Sequence, residues 1–347
     1  MKNVTAVPAE YFRPVHADLQ GTIQEVSYRV GNYIQRDRRL VTDRNISNRE
    51  AGRETKAGDA IYKKCSIYLP AGYDPTDSGR RYNVLYLLHG VGGDHYEWLR
   101  NSKAGEKSIF CNLLDNLIAN GDIDPLIVVF PNGRSSYDWS DTSFHAEGTH
   151  MLGFYYFDYE LRFDLVPFIE SNYKTLANIS DTSHAGILYN RMHRAIAGLS
   201  MGGMQALNLV VGGYRHDSTR FTGTKSPWNN GLDRTVLAPG MIDLFAYVGA
   251  FSNAPTSSDG KTLAESLISS RHNLDLLYVT CGDADRIAMD SYTQMVEGLI
   301  HHAGDHLHHF YPILIKDGCH DFPVWNNGVY NFSRLIFQQG DDPTVEG

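Results

Sequence analysis

Apolar residues in this chain fall into short continuous runs, and the stretches between those runs carry the wider spacing of amphipathic helices. The runs at 83–88, 126–130, 193–197, 245–250, 274–280 and 310–315 read as buried strands, and two earlier segments, 23–30 and 61–69, read as antiparallel lead-in strands. Helical spacing fits 108–120, 157–172, 201–211, 262–270, 289–302 and 324–338. Strand and helix alternating in this order predict an α/β protein: a mostly parallel central sheet with helices on both faces. No internal repeat, low-complexity tract or linker divides it. The economical division is an N-terminal extension, 1–58, packed on a main domain, 59–347, with the polar stretch 31–58 forming a surface excursion.

In such a sheet, loops leaving the carboxyl ends of strands form the ligand face. That sorts 89–107, 131–156, 252–261, 282–288 and 317–323 onto one end of the molecule. Two insertions, 175–192 and 212–243, follow helices and lead into strands, so they are assigned to packing or to contacts of a homo-oligomer.

Composition narrows the function classes. The 347 residues are 42% hydrophobic, enough for a substantial core. A formal net charge of −9, with no basic block longer than Arg36-Asp37-Arg38-Arg39, argues against nucleic acid or an anionic membrane as partner. No stretch approaches the ~20 apolar residues of a membrane span, and residues 1–16 lack an apolar signal core. The expected compartment is the cytoplasm, or the exterior if an export signal has been trimmed. Cys65, Cys111, Cys281 and Cys319 are too few for a disulfide framework and have no zinc-ligand spacing, so free thiols are expected. The dense set His301, His302, His306, His308 and His309 closes a helix and its following turn, and no metal or other cofactor is expected.

The most informative segment is Gly198-Leu199-Ser200-Met201-Gly202-Gly203, where a buried strand must turn into a helix within a residue or two. That is the layout of a nucleophile elbow: the serine is held in strained backbone geometry with its hydroxyl exposed, and flanking glycines let strand and helix approach closely. A serine hydroxyl needs a base, and the base needs a third group to fix its tautomer. His320 lies in the loop after the last strand, and Asp283 and Asp285 lie in the loop after the strand before it. Asp317 and Asp321 are read as turn or solvent-facing residues. The order Ser, Asp, His is that of an α/β-hydrolase fold. Two backbone amides complete the constellation as an oxyanion hole: Met201, at a helix N-terminus, and Val91, in the glycine loop Leu87-Leu88-His89-Gly90-Val91-Gly92-Gly93.

Five segments together resemble the carbohydrate esterase family that contains feruloyl esterases and some acetyl xylan esterases. They are Tyr68-Leu69-Pro70-Ala71-Gly72-Tyr73, Leu85-Tyr86-Leu87-Leu88-His89-Gly90, Phe168-Ile169-Glu170-Ser171-Asn172-Tyr173, Ala197 through Gly203, and His320-Asp321-Phe322-Pro323-Val324-Trp325. The resemblance implies that the acid is Asp285, placed a few residues past Cys281-Gly282, and it implies oxyanion donors at Val91 and Met201. It further implies a serine ester hydrolase, with feruloyl esters of plant cell-wall arabinoxylan as the first-choice substrate. Acetylated xylan or oligosaccharide is the alternative within the same chemistry. S-formylglutathione is disfavoured because the motif begins Ala-Gly-Leu, and a catalytically silent carbohydrate-binding module is the alternative of a different class. Among the ligand-face aromatics Trp98, Tyr137, Trp139, Phe144 and Tyr155, Trp98 and Trp139 are the candidates for stacking on substrate.

Overall fold

A strand that is apolar on both sides needs cover on both faces, and the central sheet of the computed structural model provides it. The structure describes residues 4–34, 36, 60–100, 108–144, 148–217 and 233–338. Eight strands form the sheet: β1 (Thr22–Val30), β2 (Ile61–Leu69), β3 (Asn83–Leu88), β4 (Leu126–Pro131), β5 (Arg194–Leu199), β8 (Tyr247–Phe251), β9 (Leu276–Gly282) and β10 (Phe310–Ile315). Their spatial order is β1-β2-β4-β3-β5-β8-β9-β10. β1 and β2 pair antiparallel, β2 runs antiparallel to β4, and every later pairing is parallel.

Alternation along the strands sorts side chains into two cores. Val84, Tyr86 and Leu88 join Ile196, Val248, Val279 and Cys281 on one face. Leu85 and Leu87 join Ala197, Leu199, Phe251 and Tyr278 on the other. The second face is closed by α1 (Ile109–Ala119) and α9 (Phe322–Leu335), whose buried residues include Leu113, Leu117, Val329 and Phe332. The first is closed by α3 (Phe157–Glu160), α4 (Val166–Asn172), α6 (Met201–Gln205), α7 (Gly260–Ser269) and α8 (Met289–His302).

The long helices read from the sequence are less regular than expected. Between α3 and α4 the turn Leu161–Leu165 is π-helical. Pro167, at the start of α4, has no N–H to give to the carbonyl four residues back, and a wider turn accommodates that loss. After α6 a second π-helical stretch covers Ala206–Gly212. Two short helices lie where only loop was anticipated: α2 (Thr149–Gly153) and α5 (His184–Arg191), the latter capped by the Ser183 hydroxyl on the Gly186 amide at 3.0 Å.

The segment after β1 also differs from a plain surface excursion. Tyr33 and Ile34 are buried, and the Tyr33 hydroxyl donates to Asp164 at 2.8 Å. Residues 35 and 37–59 lie outside the described part. The first insertion is stitched to its own chain through Tyr82 and Leu176, and the second opens with an antiparallel pair, β6 (Tyr214–Asp217) and β7 (Asp233–Leu237). Buried Arg215 forks onto Asp158 with contacts of 2.7 and 2.6 Å. The N-terminal segment packs on α1 and α9, where Thr5 receives from and donates to Asn331 and the Tyr11 ring meets Tyr330 at 5.6 Å.

One buried pair ties the sheet to the loop after β4. Lys63 has no exposed surface, and its Nζ donates to Glu160 at 2.6 Å, to the Asn132 carbonyl at 2.9 Å and to the Arg134 carbonyl at 2.7 Å. Burial pushes the ammonium down from its usual range, opposed by the Glu160 charge, and burial pushes the Glu160 carboxyl up against the pull of Lys63. Removing one partner strands the other in a dry interior. Lys63→Met is therefore expected to destabilise the protein by about 3–5 kcal/mol, with part of that loss recovered in Lys63→Met/Glu160→Gln. Urea unfolding of the single and double variants measures this; losses that simply add would show the pair to be uncoupled.

Candidate active site

The loops at the carboxyl ends of β3, β5, β9 and β10 meet at one place, and the central turn there is the one after β5. Ser200 has φ +50° and ψ −112°, a left-handed conformation that costs an L-residue energy and persists only where neighbours hold it. They do so at three points: the Ser200 amide donates to the Phe251 carbonyl at 2.9 Å, and its carbonyl accepts from Met204 and Ala254, both at 3.0 Å. The flanking glycines are required by contact. A Cβ on Gly198 would sit 2.5 Å from the Gly202 backbone, and one on Gly202 would sit 2.8 Å from the His89 carbonyl oxygen. Ser252, after β8, shares the left-handed conformation with φ +46°, and its amide donates to the Thr280 carbonyl at 2.7 Å.

From the edge of the sheet come the imidazole and the carboxylate. His320 Nε2 lies 3.0 Å from Ser200 Oγ, and His320 Nδ1 lies 2.8 Å from Asp285 Oδ2. The other carboxylate oxygen of Asp285 accepts the amides of Ile287 at 3.0 Å and Ala288 at 2.9 Å. Burial alone pushes this carboxyl up, but the hydrogen bonds from His320 and the Ala288 amide outweigh it and leave it below the ordinary carboxylate range. An ionised Asp285 accepts from Nδ1–H, so Nε2 carries the free lone pair and faces the hydroxyl. The two loops are pinned together by the Ala284 amide on the Gly318 carbonyl at 3.0 Å and the Asp317 amide on Asp283 Oδ1 at 2.6 Å. Asp283, the competing acid, is thus occupied in that staple. The Trp325 ring meets the imidazole edge to face at 5.2 Å.

Met201 and Val91 bring two backbone N–H groups to the same corner. Neither amide donates a hydrogen bond within the described residues. Met201 begins α6, where amides point outward and the helix dipole is positive. Val91 belongs to the turn after β3, which runs beside the serine: a Cβ on Gly90 would be 3.5 Å from Ser200 Cβ. That turn is held by His89, whose Nδ1 lies 2.6 Å from the Gly90 carbonyl while its Nε2 accepts the Gly133 amide at 2.9 Å. Burial, with the charge of Arg134, pushes the His89 imidazole down to about 3, so it stays neutral with the proton on Nδ1.

The aromatic candidates separate. Trp98 is 1% exposed, its Nε1 donates to the Leu88 carbonyl at 3.0 Å, and its ring is enclosed by Phe110, Phe251 and Phe322. It is a core residue with no free face, so the expectation that it stacks on a ligand is corrected. Tyr155 is likewise buried. Trp139 and Tyr137 are half-buried in the turn after β4, and Phe144 is exposed. Cys281 is buried beside Asp285, Cys319 is exposed, and both are free thiols. The residues that pattern reading passed over are those behind the site: His89, Glu97, Arg134 and Lys63. The inward register of Lys63, in step with Cys65 and Ile67, is a signal that period-two alternation could have supplied.

Residues 62–329 match the family described as "Putative esterase". Endo-1,4-beta-xylanase Y of Acetivibrio thermocellus is 36% identical over 165 residues, 47% of this chain and 13% of that protein. An endo-1,4-beta-xylanase/feruloyl esterase of Xylanibacter ruminicola is 37% identical over 142 residues, 40% of this chain and 16% of the relative. The aligned part is thus a small fraction of either curated relative. Among solved structures, the feruloyl esterase module of Clostridium thermocellum complexed with sinapinate superposes with a TM-score of 0.66 at 21% identity, covering 100% of this chain and 98% of that one. A CE1 ferulic acid esterase from Anaeromyces mucronatus gives 0.64 at 18%, covering 97% and 98%. These two likenesses show the α/β-hydrolase fold. With the family match spanning most of the sheet and every strand-end loop described above, the chain belongs to the esterase family.

Proposed function

We propose that this protein is a serine carboxylic-ester hydrolase in which Ser200 is the nucleophile, His320 the general base and Asp285 the group that orients and stabilises the imidazole. The observation that carries the reading is the unbroken row from Asp285 through His320 to Ser200, with contacts of 2.8 and 3.0 Å. In acylation, Ser200 Oγ forms a bond to the ester carbonyl carbon as its proton passes to His320 Nε2. The carbonyl oxygen gains negative charge and is received by the amides of Val91 and Met201. Collapse of the tetrahedral intermediate breaks the bond to the alcohol, which takes the proton from His320. Water then attacks the acyl-serine by the same route and releases the acid. A helix N-terminus and two fixed amides need no reorganisation when charge appears, which favours the transition state over the bound ester.

For the substrate we propose a feruloyl ester of xylan. Relatives named for xylanase and feruloyl esterase activity support this, as does the half-buried indole of Trp139, which offers an aromatic face beside the loops of the ligand end. Acetylated xylan remains the competing substrate within the same chemistry.

Ser200→Ala is expected to lower kcat by roughly 10⁵–10⁶-fold with the fold retained; assay on a p-nitrophenyl ester, with circular dichroism as control, checks it, and residual turnover near wild type would refute the assignment. Because Asp285 is held below the ordinary carboxylate range, it stays charged while His320 takes up its proton. The acid limb of log kcat/KM is therefore expected to fall with a slope of about one, one proton silencing the base. A flat limb would contradict that role. On methyl ferulate against acetylated xylan, kcat/KM is expected to favour the ferulate by about tenfold or more, since the aromatic acyl group adds a buried ring; the reverse preference would select the acetyl ester.

A further inference from the structure

Arg134 is the largest charged side chain at the site's back wall, and its environment is unusual for a cation. It has no exposed surface, and it forms no ion pair among the described residues. Its guanidinium instead donates to two main-chain oxygens, through Nη1 to Gly93 at 2.8 Å and through Nη2 to Val91. The face of Phe154 covers it at 4.8 Å, and Nε has no partner among the described residues. Burial lowers the guanidinium to about 10, which still leaves it charged at neutral pH. Desolvating a cation without a contacting carboxylate is costly. A simple packing role would be served by an apolar side chain of the same volume.

The two oxygens that Arg134 holds belong to the turn that carries the Val91 amide, which, like that of Gly92, donates no hydrogen bond within the described residues. Neighbouring polar groups at that corner are engaged: the Gly90 amide donates to Glu97 at 2.6 Å, the Gly93 amide to the Gly90 carbonyl at 3.2 Å, and His89 holds the Gly90 carbonyl. The Val91 N–H shares its peptide plane with the Gly90 carbonyl, which His89 and the Gly93 amide hold; the guanidinium grips the next carbonyl along, that of Val91, and that of Gly93, so the turn carrying this plane is fixed from both sides. Arg134 is itself immobilised. Lys63 holds its carbonyl at 2.7 Å, the Asn132 side chain accepts its amide at 3.1 Å, and Gln205 holds the Gly133 carbonyl at 2.8 Å.

Resting on the esterase reading, we infer that Arg134 is a positioning residue for ester hydrolysis: it clamps the Val91–Gly93 turn so that the Val91 amide faces the developing oxyanion, and its buried charge adds to the positive field there. Its effect falls on the transition state, because the ground-state carbonyl carries little charge to stabilise.

The test compares wild type, Arg134→Met and Arg134→Lys on methyl ferulate, with circular dichroism to confirm folding. Arg134→Met is expected to lose about 100-fold in kcat, the scale of one misplaced oxyanion donor, with KM moving by less than about threefold. Arg134→Lys, which keeps the cation without the planar fork, is expected to fall between the two. A trifluoromethyl ketone carrying an aryl group forms an adduct with an oxyanion on Ser200. Its Ki is expected to rise in step with the loss in kcat, while the Ki of ferulate as product inhibitor holds, a split that a merely structural loss would not produce. A wild type that neither turns over nor is inhibited by the ketone overturns the esterase reading and this inference together. An active wild type with unchanged kcat in a folded Arg134→Lys or Arg134→Met overturns the inference alone, as does an equal rise in the Ki of ketone and ferulate.

Discussion

The backbone at Ser200 is the constraint on which the site depends. A left-handed serine is worth ~1–3 kcal/mol of strain, and it relaxes unless its surroundings forbid relaxation. Here β5 and α6 approach until Gly198 and Gly202 nearly touch, and Phe251, Met204 and Ala254 hold both polar groups of the Ser200 backbone. The strain places the hydroxyl above the sheet, opens α6 directly beneath it, and leaves the Met201 amide without an internal acceptor. A single steric fact at two glycines therefore sets the direction of the Ser200 hydroxyl, the position of the helix dipole and the free Met201 amide to which the proposed mechanism assigns the substrate oxygen.

The same turn explains why so much of the fold could be read from the chain. Strand runs buried on both faces leave little ambiguity of type, and the eight strands of the sheet fall where the apolar runs lie. Glycines flanking a serine between a strand and a helix carry a steric meaning that does not depend on distant residues. Legibility fails where tertiary partners decide. The wide turns at 161–165 and 206–212 look like ordinary helix in the sequence, because an α-helix and a π-turn share the same residue preferences. Trp98 looked like a ligand-face aromatic because its loop leaves the carboxyl end of a strand, yet its indole folds back under β3 and finds an acceptor in Leu88. Loop position gives the neighbourhood of a side chain, whereas its direction is settled by packing. Asp283 and Asp285 present the same problem two residues apart: only the folded turn sends one carboxylate to the imidazole and the other to the Asp317 amide.

Behind the residues that face the ligand end lies a layer of buried polar groups with a common logic. Lys63, His89, Arg134 and Gln205 each direct a donor at a main-chain carbonyl of a loop that leaves β3 or β4. Loops have no ladder of their own to satisfy their peptide groups, and in a buried location each unsatisfied group is expensive. Side chains from β2 and α6, with His89 and Arg134 of the loops themselves, take over that task here, so the loops are tied to the elements they join. The charges among them are met by oriented carbonyl dipoles, two for Arg134, and for Lys63 by Glu160 as well.

The sheet order distributes the working groups unevenly. β5, which carries the serine, is flanked by β3 and β8 and cannot move without breaking pairing on both sides. β10, which leads to the imidazole, is bonded among the described residues only to β9, and within Phe310–Ile315 the residues Pro312 and Leu314 are exposed and the rest half-buried. Peeling of this outer strand breaks one ladder where displacement of β5 would break two. In the proposed mechanism such an opening would withdraw the His320 imidazole while the Val91 and Met201 amides stay in place, because those sit on loops of the inner strands β3 and β5.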